Sequence, residues 1–279
     1  MRLAKNTVAV VTGAGSGIGR ALALALAREG CALALADKDA HTVANTAAEA
    51  KKAGAGTVST HAVDVADLAA MTRFRDEVKQ AHRYVQLLIN NAGVALIGEL
   101  EELSVDDMRW LVEINFWGVV YGTRLFLPLL RENRQAHIVN ISSIFGIVAP
   151  AGQSAYAASK FAVRGFSEAV RHELGDTGIR VTTVHPGGVR TNIARHARLP
   201  AKSDPARREQ VVKGFDRLAR TSPDQAAARI LRGIKRNEQR ILIGADAWLM
   251  AALRFLMPVN YWRAIDRLLP KEQRKMGKR

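Results

Sequence analysis

The chain has 279 residues, 48% of them hydrophobic and 24% charged, with one cysteine, Cys31. That is globular composition long enough for one large α/β domain or two small ones, and the lone cysteine excludes an internal disulfide framework or a multi-cysteine metal site. The net charge of +15 is lopsided: residues 1–189 carry 19 Lys/Arg against 18 Asp/Glu, residues 190–279 carry 22 against 8, so a neutral body precedes a cationic final third.

The first six residues are short and basic, but the apolar run behind them ends at once in a glycine loop, so no secretory leader is expected. No run of 18 apolar residues occurs, which argues against a spanning helix and, with the cysteine usage, for a cytoplasmic protein. Cys31 lies in an apolar run, where an inert buried thiol is expected.

Strand-like apolar runs cover 7–12, 31–36, 57–63, 86–90, 137–142, 180–185 and 240–243. Amphipathic helical patterns fill 17–29, 40–53, 67–82, 104–133, 153–175 and 224–236. Strands this apolar, separated by helices, predict a doubly wound parallel sheet covered on both faces, with ligands at the carboxyl ends of its strands. Without a linker or repeat, residues 1–244 read as a single catalytic domain. Residues 187–222 lack clear periodicity and hold Pro200 and Pro205, so they read as a substrate lid. Residues 245–257 and 261–269 read as two helices broken at Pro258, in a basic C-terminal extension over 245–279.

The first strand runs into Thr12-Gly13-Ala14-Gly15-Ser16-Gly17-Ile18-Gly19-Arg20 and then into an Ala/Leu-rich helix. Glycines let the backbone turn tightly and approach a pyrophosphate, which the N–H groups of a helix N-terminus would hold. A purely structural strand–helix turn is the alternative. Asp37, 18 residues after Gly19, ends the second strand, where a carboxylate would bind the adenosine ribose hydroxyls. A carboxylate there repels a 2′-phosphate and favours NAD, while the neighbouring cation Lys38 leaves NADP open.

Asp64-Val65 ends the third strand where an adenine edge would lie, although Asp64 could equally cap the next helix. Asn90-Asn91-Ala92-Gly93 ends the fourth, with small residues to let the strand end pass the cofactor and asparagines to tie strand ends together. For Asn90 a structural role is the expectation.

Ser143 closes the fifth strand, and Tyr156 and Lys160 stand four apart on the next helix, hence on one face. A phenol of pKa about 10 is a poor base at neutral pH. A neighbouring ammonium would bring it down, so that Tyr156 exchanges a proton with a substrate oxygen that Ser143 holds.

Thr-Gly-x-x-x-Gly-x-Gly, Asn-Asn-Ala-Gly, a serine 13 residues before Tyr-x-x-x-Lys, and Pro186-Gly187 after the sixth strand occur in this order over residues 7–244. Together they resemble the short-chain dehydrogenase/reductase family. The resemblance implies a seven-stranded Rossmann sheet, interconversion of an alcohol and a carbonyl, and a Ser143–Tyr156–Lys160 site in which Lys160 also holds the nicotinamide ribose. It implies that Asn115, in Glu-Ile-Asn-Phe-Trp-Gly, links Lys160 to a water relay; the alternative is a residue at a helix kink. It places Pro186, Gly187, Val189 and Thr191 against the nicotinamide carboxamide. His185 has no part in that mechanism and reads as a satisfied strand-end histidine. The seven histidines are scattered without ligand spacing, so no metal is expected.

Val94, Leu96, Phe145, Ile147 and the lid are the candidate substrate pocket, apolar enough for a hydrophobic alcohol or ketone. A cationic lid would also receive an acidic carrier. The resemblance further implies a homodimer or homotetramer paired through 104–133 and 153–175. Residues 245–279 are read either as packing over the pocket or a subunit contact, or as a peripheral membrane anchor. Two rivals remain: a catalytically inactive NAD-binding regulator of the same fold, and a nucleic-acid binder, against which stands the lack of any recognised reading motif in the basic third.

Overall fold

The computed structural model describes residues 1, 3–5 and 7–268. In chain order the elements are β1 (Val8–Thr12), α1 (Gly17–Arg28), β2 (Ala32–Asp37), α2 (Ala40–Lys52), β3 (Val58–Ala62), α3 (Leu68–His82), β4 (Leu87–Asn90) and α4 (Val105–Val112). They continue with α5 (Gly118–Arg131), β5 (Ala136–Ile141), α6 (Ser154–Glu173), β6 (Ile179–Pro186), α7 (Pro205–Leu218), α8 (Pro223–Lys235), β7 (Arg240–Ile243), α9 (Ala245–Leu256) and α10 (Tyr261–Leu268).

All seven strands are parallel, in the order β3-β2-β1-β4-β5-β6-β7. This is the doubly wound Rossmann sheet expected. The order reverses between β1 and β4, so the chain leaves those two neighbours for opposite faces and opens a crevice at their carboxyl ends. One core lies on the side of α1, α2 and α8, with Leu22, Leu26, Leu33, Val43, Ile230 and Ile241. The other, on the side of α3, α5 and α6, contains Met71, Phe74, Leu88, Phe126 and Ile138. The strands between are buried on both faces, which is why they read as unbroken apolar runs.

Two predicted features take a different form. The pattern over 104–133 is one row of apolar residues in sequence but three pieces in space, because a π-helical turn at Glu113–Trp117 separates α4 from α5. The segment 187–222, expected to lack regular structure, contains a helix, α7, that its few apolar residues concealed. Asp204 caps it by accepting from the Ala206 N–H, and Pro205 occupies its first turn. That Asp-Pro pair was the available signal.

Among the buried strand histidines are His137 and His185. His137 meets the Thr182 hydroxyl at 2.7 Å, and His185 Nδ1 donates to the Ser143 carbonyl at 2.9 Å. Burial pushes His137 down to about 3 and His185 down to about 4. Both therefore bind a proton more readily in the unfolded chain, whose histidines titrate near 6.5, so stability rises with pH across the interval between. Thermal melts should fall as pH drops from about 7 to about 5, each histidine contributing on the order of 1–2 kcal/mol of that loss. His137→Gln should flatten the slope; an unchanged slope would remove His137 from the account.

Candidate active site

The glycine loop is held by the end of β4. Thr12 Oγ1 accepts from the backbone N–H groups of Asn91 (3.0 Å) and Ala92 (3.1 Å), while Asn91 Nδ2 donates to the carbonyls of Thr12 (2.9 Å) and Gly13 (3.1 Å). Gly13 has φ +64° and would place a Cβ 2.8 Å from Ala92 Cα, so no other residue fits there. Gly19 faces the Gly13 carbonyl just as closely, and Gly17 turns at φ +54° beside the Thr191 methyl. Ser16 stands at the N-cap of α1 without a side-chain cap bond, and Ile18 packs against the core. The first N–H groups of α1 thus stay available to an anion at the crevice.

Asp37 is at the rim. Its Oδ2 accepts from Gly15 N–H at 2.8 Å and its Oδ1 from Asp39 N–H at 3.1 Å, fixing the carboxylate beside the loop. Lys38 turns away from it to pair with Asp64 Oδ2 at 2.8 Å. Burial raises the Asp64 pKa, but the Lys38 and Ala66 hydrogen bonds and the Lys38 charge outweigh it and hold the carboxyl below its usual range. Asp64 does not cap α3: Asp67 does, accepting from Ala69 and Ala70. Three residues further along, Asp67 has the extended backbone immediately before the helix that a cap requires. Val65 is buried against Gly118.

Asn90 has the structural role expected of it. Its Nδ2 donates to Thr123 Oγ1 (3.1 Å) and Asn140 Oδ1 (2.8 Å), and Asn140 donates on to Ser167 (2.9 Å), a buried chain tying β4 to β5 and α6. Asn115 sits in the π-helical turn, fully buried. Its amide exchanges two bonds with the Val94 backbone (2.8 and 3.0 Å) and donates to Ser159 Oγ at 3.2 Å. A Cβ on Gly93 would lie 3.1 Å from Asn115 Oδ1 and 3.3 Å from Lys160 Nζ, so the missing side chain is what lets the asparagine and the lysine share this spot. Asn115 is thus at a helix irregularity and beside Lys160 at once; π-turns of this kind often accompany functional sites.

Ser143, Tyr156 and Lys160 converge at the end of β5. Ser143 is extended, caps the short turn Ile144–Gly146 by accepting from Phe145 N–H, and hydrogen-bonds the Tyr156 phenol. His185 supports it from beneath through its carbonyl. Lys160 is buried: its ammonium donates to the Ile141 carbonyl at 3.2 Å and stands 5.8 Å from the centre of the Tyr156 ring. Burial drives the lysine down to about 8. It pushes the phenol up to about 12, Ser143 offsetting only part. The expected lowering of Tyr156 by its cation is therefore not the direction within the protein. Both groups lie out of water, and the ammonium spends its hydrogen bond on the backbone.

Phe145 meets Tyr156 edge-on, with ring centroids 6.2 Å apart. Leu96 is fully buried with Leu103, Leu111 and Ala155, and Ile147 with Val148 and Ala247, so these two belong to packing clusters that wall the site. The segment 187–222 is pinned to the α4 side. Leu96 pairs with Arg198 in a β-bridge; the Arg198 guanidinium lies 3.7 Å over the Trp110 ring and 2.9 Å from Asp107, and Arg207 holds Glu102 with two bonds of 2.7 Å.

Pro186, Gly187, Val189 and Thr191 leave β6 toward the glycine loop, with Val189 bridged to Thr221. Sequence reasoning missed what holds them: Asp246, at the start of α9, accepts from Gly188 N–H at 2.7 Å and lies against Gly187. Its signal was an acid two residues past Gly244, in the first turn of the last predicted helix pair.

Residues 7–201 match the short chain dehydrogenase family. The chain belongs to it. It is 42% identical over 261 residues to the oxidoreductase SadH of Mycobacterium tuberculosis, covering 92% of this chain and 93% of that one. It is 33% identical over 276 residues to dehydrogenase/reductase SDR family member 7B of Bos taurus, covering 97% and 83%. A short-chain dehydrogenase/reductase from Burkholderia phymatum, solved in complex with NAD, superposes with a TM-score of 0.84 at 33% identity, covering 91% of this chain and 95% of that one. A metagenomic short-chain oxidoreductase in complex with NADP gives 0.71 at 27%, covering 87% and 98%. The protein is accordingly an oxidoreductase of this family.

Because Gly13 combines a positive φ with a backbone neighbour that cannot yield, Gly13→Ala should cost about 2–4 kcal/mol and lower the melting temperature by several degrees. Differential scanning calorimetry checks this; an unchanged melt would show that the loop relaxes freely.

Proposed function

We propose that the chain interconverts a hydrophobic alcohol and its ketone or aldehyde with a nicotinamide cofactor, in a single catalytic unit of residues 1–244 whose lid is 187–222 and whose extension is 245–279. The observation that carries this reading is the convergence of Ser143, Tyr156, Lys160 and Asn115 at strand ends one crevice away from an uncapped helix N-terminus.

Gly13, Ser16, Gly17, Ile18 and Gly19 would hold the pyrophosphate, Asp37 the adenosine ribose, and Asp64 and Val65 the adenine. Asn91, Ala92 and Gly93, with Lys160, would hold the second ribose, and Pro186, Gly187, Val189 and Thr191 the carboxamide. The fit rests on the cradle at Gly13, Gly17 and Gly93, which any side chain would fill. Bound nicotinamide supplies the acceptor for the hydride of the alcohol carbon, or its donor in the reverse direction. Ser143 orients the substrate oxygen and Phe145 flanks it. Tyr156 takes the hydroxyl proton in oxidation and returns it in reduction. Lys160 balances charge on the phenolate, and Asn115 positions Lys160 and passes the proton outward through water.

Within the Tyr156–Lys160 pair Lys160 gives up its proton first, at about 8, and the neutral amine it leaves is the base that takes the phenol proton as Tyr156 receives that of the alcohol. Alcohol oxidation therefore rises with pH through about 8, and carbonyl reduction falls. An alcohol panel followed at the reduced-nicotinamide absorbance should show this. Tyr156→Phe should lower kcat at least about 1,000-fold, in the range general acid–base catalysis contributes, with cofactor binding retained. Tight cofactor binding with no turnover on a broad panel would instead favour the inactive regulator.

We assign NAD over NADP, since Asp37 keeps its carboxylate at the rim and Lys38 is spent on Asp64. Asp37→Ala should shift the ratio of kcat/KM values toward NADP by about tenfold or more, worth about 1.4 kcal/mol. A wild type that already prefers NADP would reverse the assignment. Exposed Trp117 on the π-turn and Phe161 on α6 support pairing of copies through α5 and α6, as a dimer or tetramer.

A further inference from the structure

In α9 only Asp246 and Arg254 are polar among twelve residues, and Asp246 is turned inward onto Gly188. An ordinary surface helix packs one face and shows polar side chains on the other. Here the inner face packs Ala247, Met250, Ala251 and Leu253 on Ile144, Ile147 and Val148, next to Ser143. The outer face and the turn into α10 are apolar as well: Trp248 is 59% exposed, Leu249 51%, Phe255 84%, Leu256 73% and Val259 84%. The described residues leave this face uncovered.

Its charge setting selects the partner. Arg254 lies over the Tyr261 ring, 5.1 Å from its centre, and Arg263 is exposed on the next helix. Residues 245–279 hold eight Lys/Arg against three Asp/Glu. A second copy docked face to face would bring two such cationic segments together, whereas an anionic surface neutralises them. No described helix is long and apolar enough to cross a membrane. A short helix with bulky apolar and aromatic side chains among cations is suited to lie in the headgroup layer. We infer that the outer face of α9, with the α9–α10 turn, docks on an anionic lipid bilayer, with Trp248, Phe255, Leu256 and Val259 inserted and Arg254 and Arg263 at the headgroups. Because the inner face of the same helix walls the catalytic end of β5, docking brings the substrate side of the site toward the bilayer. The docking itself does not depend on which reaction the site performs.

Flotation of the full chain with phosphatidylcholine vesicles, with and without phosphatidylserine, tests this. The wild type should float with the anionic vesicles, stay behind with the neutral ones, and be released as salt is raised. Phe255→Ser/Leu256→Ser/Val259→Ser should abolish flotation while melting and binding NAD like the wild type. Arg263→Glu should weaken partitioning roughly tenfold. A wild type that does not float, that floats equally on neutral vesicles, or whose flotation the triple variant leaves unchanged overturns the inference. So does a wild-type oligomer that the triple variant converts to monomer in size-exclusion chromatography without any vesicle binding, which would make the face a contact between copies. NAD binding and alcohol turnover are read separately on the same samples, so failure of docking is distinct from failure of the proposed reaction.

Discussion

Everything in this molecule depends on how closely the end of β1 approaches the end of β4. Where the strand order reverses, Thr12 and Asn91 exchange side-chain and backbone bonds across the crevice, and only a glycine at position 13 lets the two backbones meet. That approach aims the N-terminus of α1 into the crevice. It also sets Ala92 and Gly93 against the loop, and Gly93 in turn leaves the room shared by Asn115 and Lys160. The glycine loop and the cluster around Lys160 thus meet along one short strand end.

Burial is the second organising force, and it acts against a simple view of Tyr156 beside Lys160. A cation beside a phenol lowers its pKa only if the attraction outweighs the loss of water around both. Here Tyr156 and Lys160 are both enclosed, and the ammonium is directed to a backbone carbonyl and the ring face. Each is pushed toward its neutral form. The phenol rises to about 12 and the ammonium falls to about 8, from ordinary values that nearly coincide, so Lys160 rather than Tyr156 gives up the first proton. The buried His185 under Ser143 belongs to the same dry environment and serves it by position alone, holding a carbonyl.

Residues 187–222 and the C-terminal helices are fastened beside this site by different means. Residues 187–222 are held by charge: Arg198 to Asp107 and Trp110, Arg207 to Glu102. The C-terminal segment is fastened by Asp246 on the Gly188 amide and by apolar packing on the turn that follows Ser143. Part of the positive charge that appeared in sequence as an undifferentiated excess, Arg198 and Arg207, is therefore engaged between residues 187–222 and the α4 side, while Arg254 and Arg263 stand beside the uncovered apolar face.

The strands, the glycine loop, Asp37 and the Ser143–Tyr156–Lys160 spacing were legible because each is a local pattern. Apolar runs mark strands buried on both faces, glycines mark turns no other residue can make, and a separation of four puts two side chains on one helical face. The π-turn at Asn115 was hidden, because an extra residue in a helical turn leaves the apolar row unbroken. Helix α7 was hidden because a helix with few buried side chains has little hydrophobic period to read. The sequence by itself determined the fold and the family, and it marked the groups on which the proposed reaction rests. Only the tertiary structure decided that Lys38 serves Asp64, that Asp67 rather than Asp64 caps α3, that Asp246 holds the loop after β6, and that burial overrides the cation beside Tyr156. Each of these turns on which partner lies within a few ångströms across the crevice, and that distance is set by packing between segments far apart in the chain.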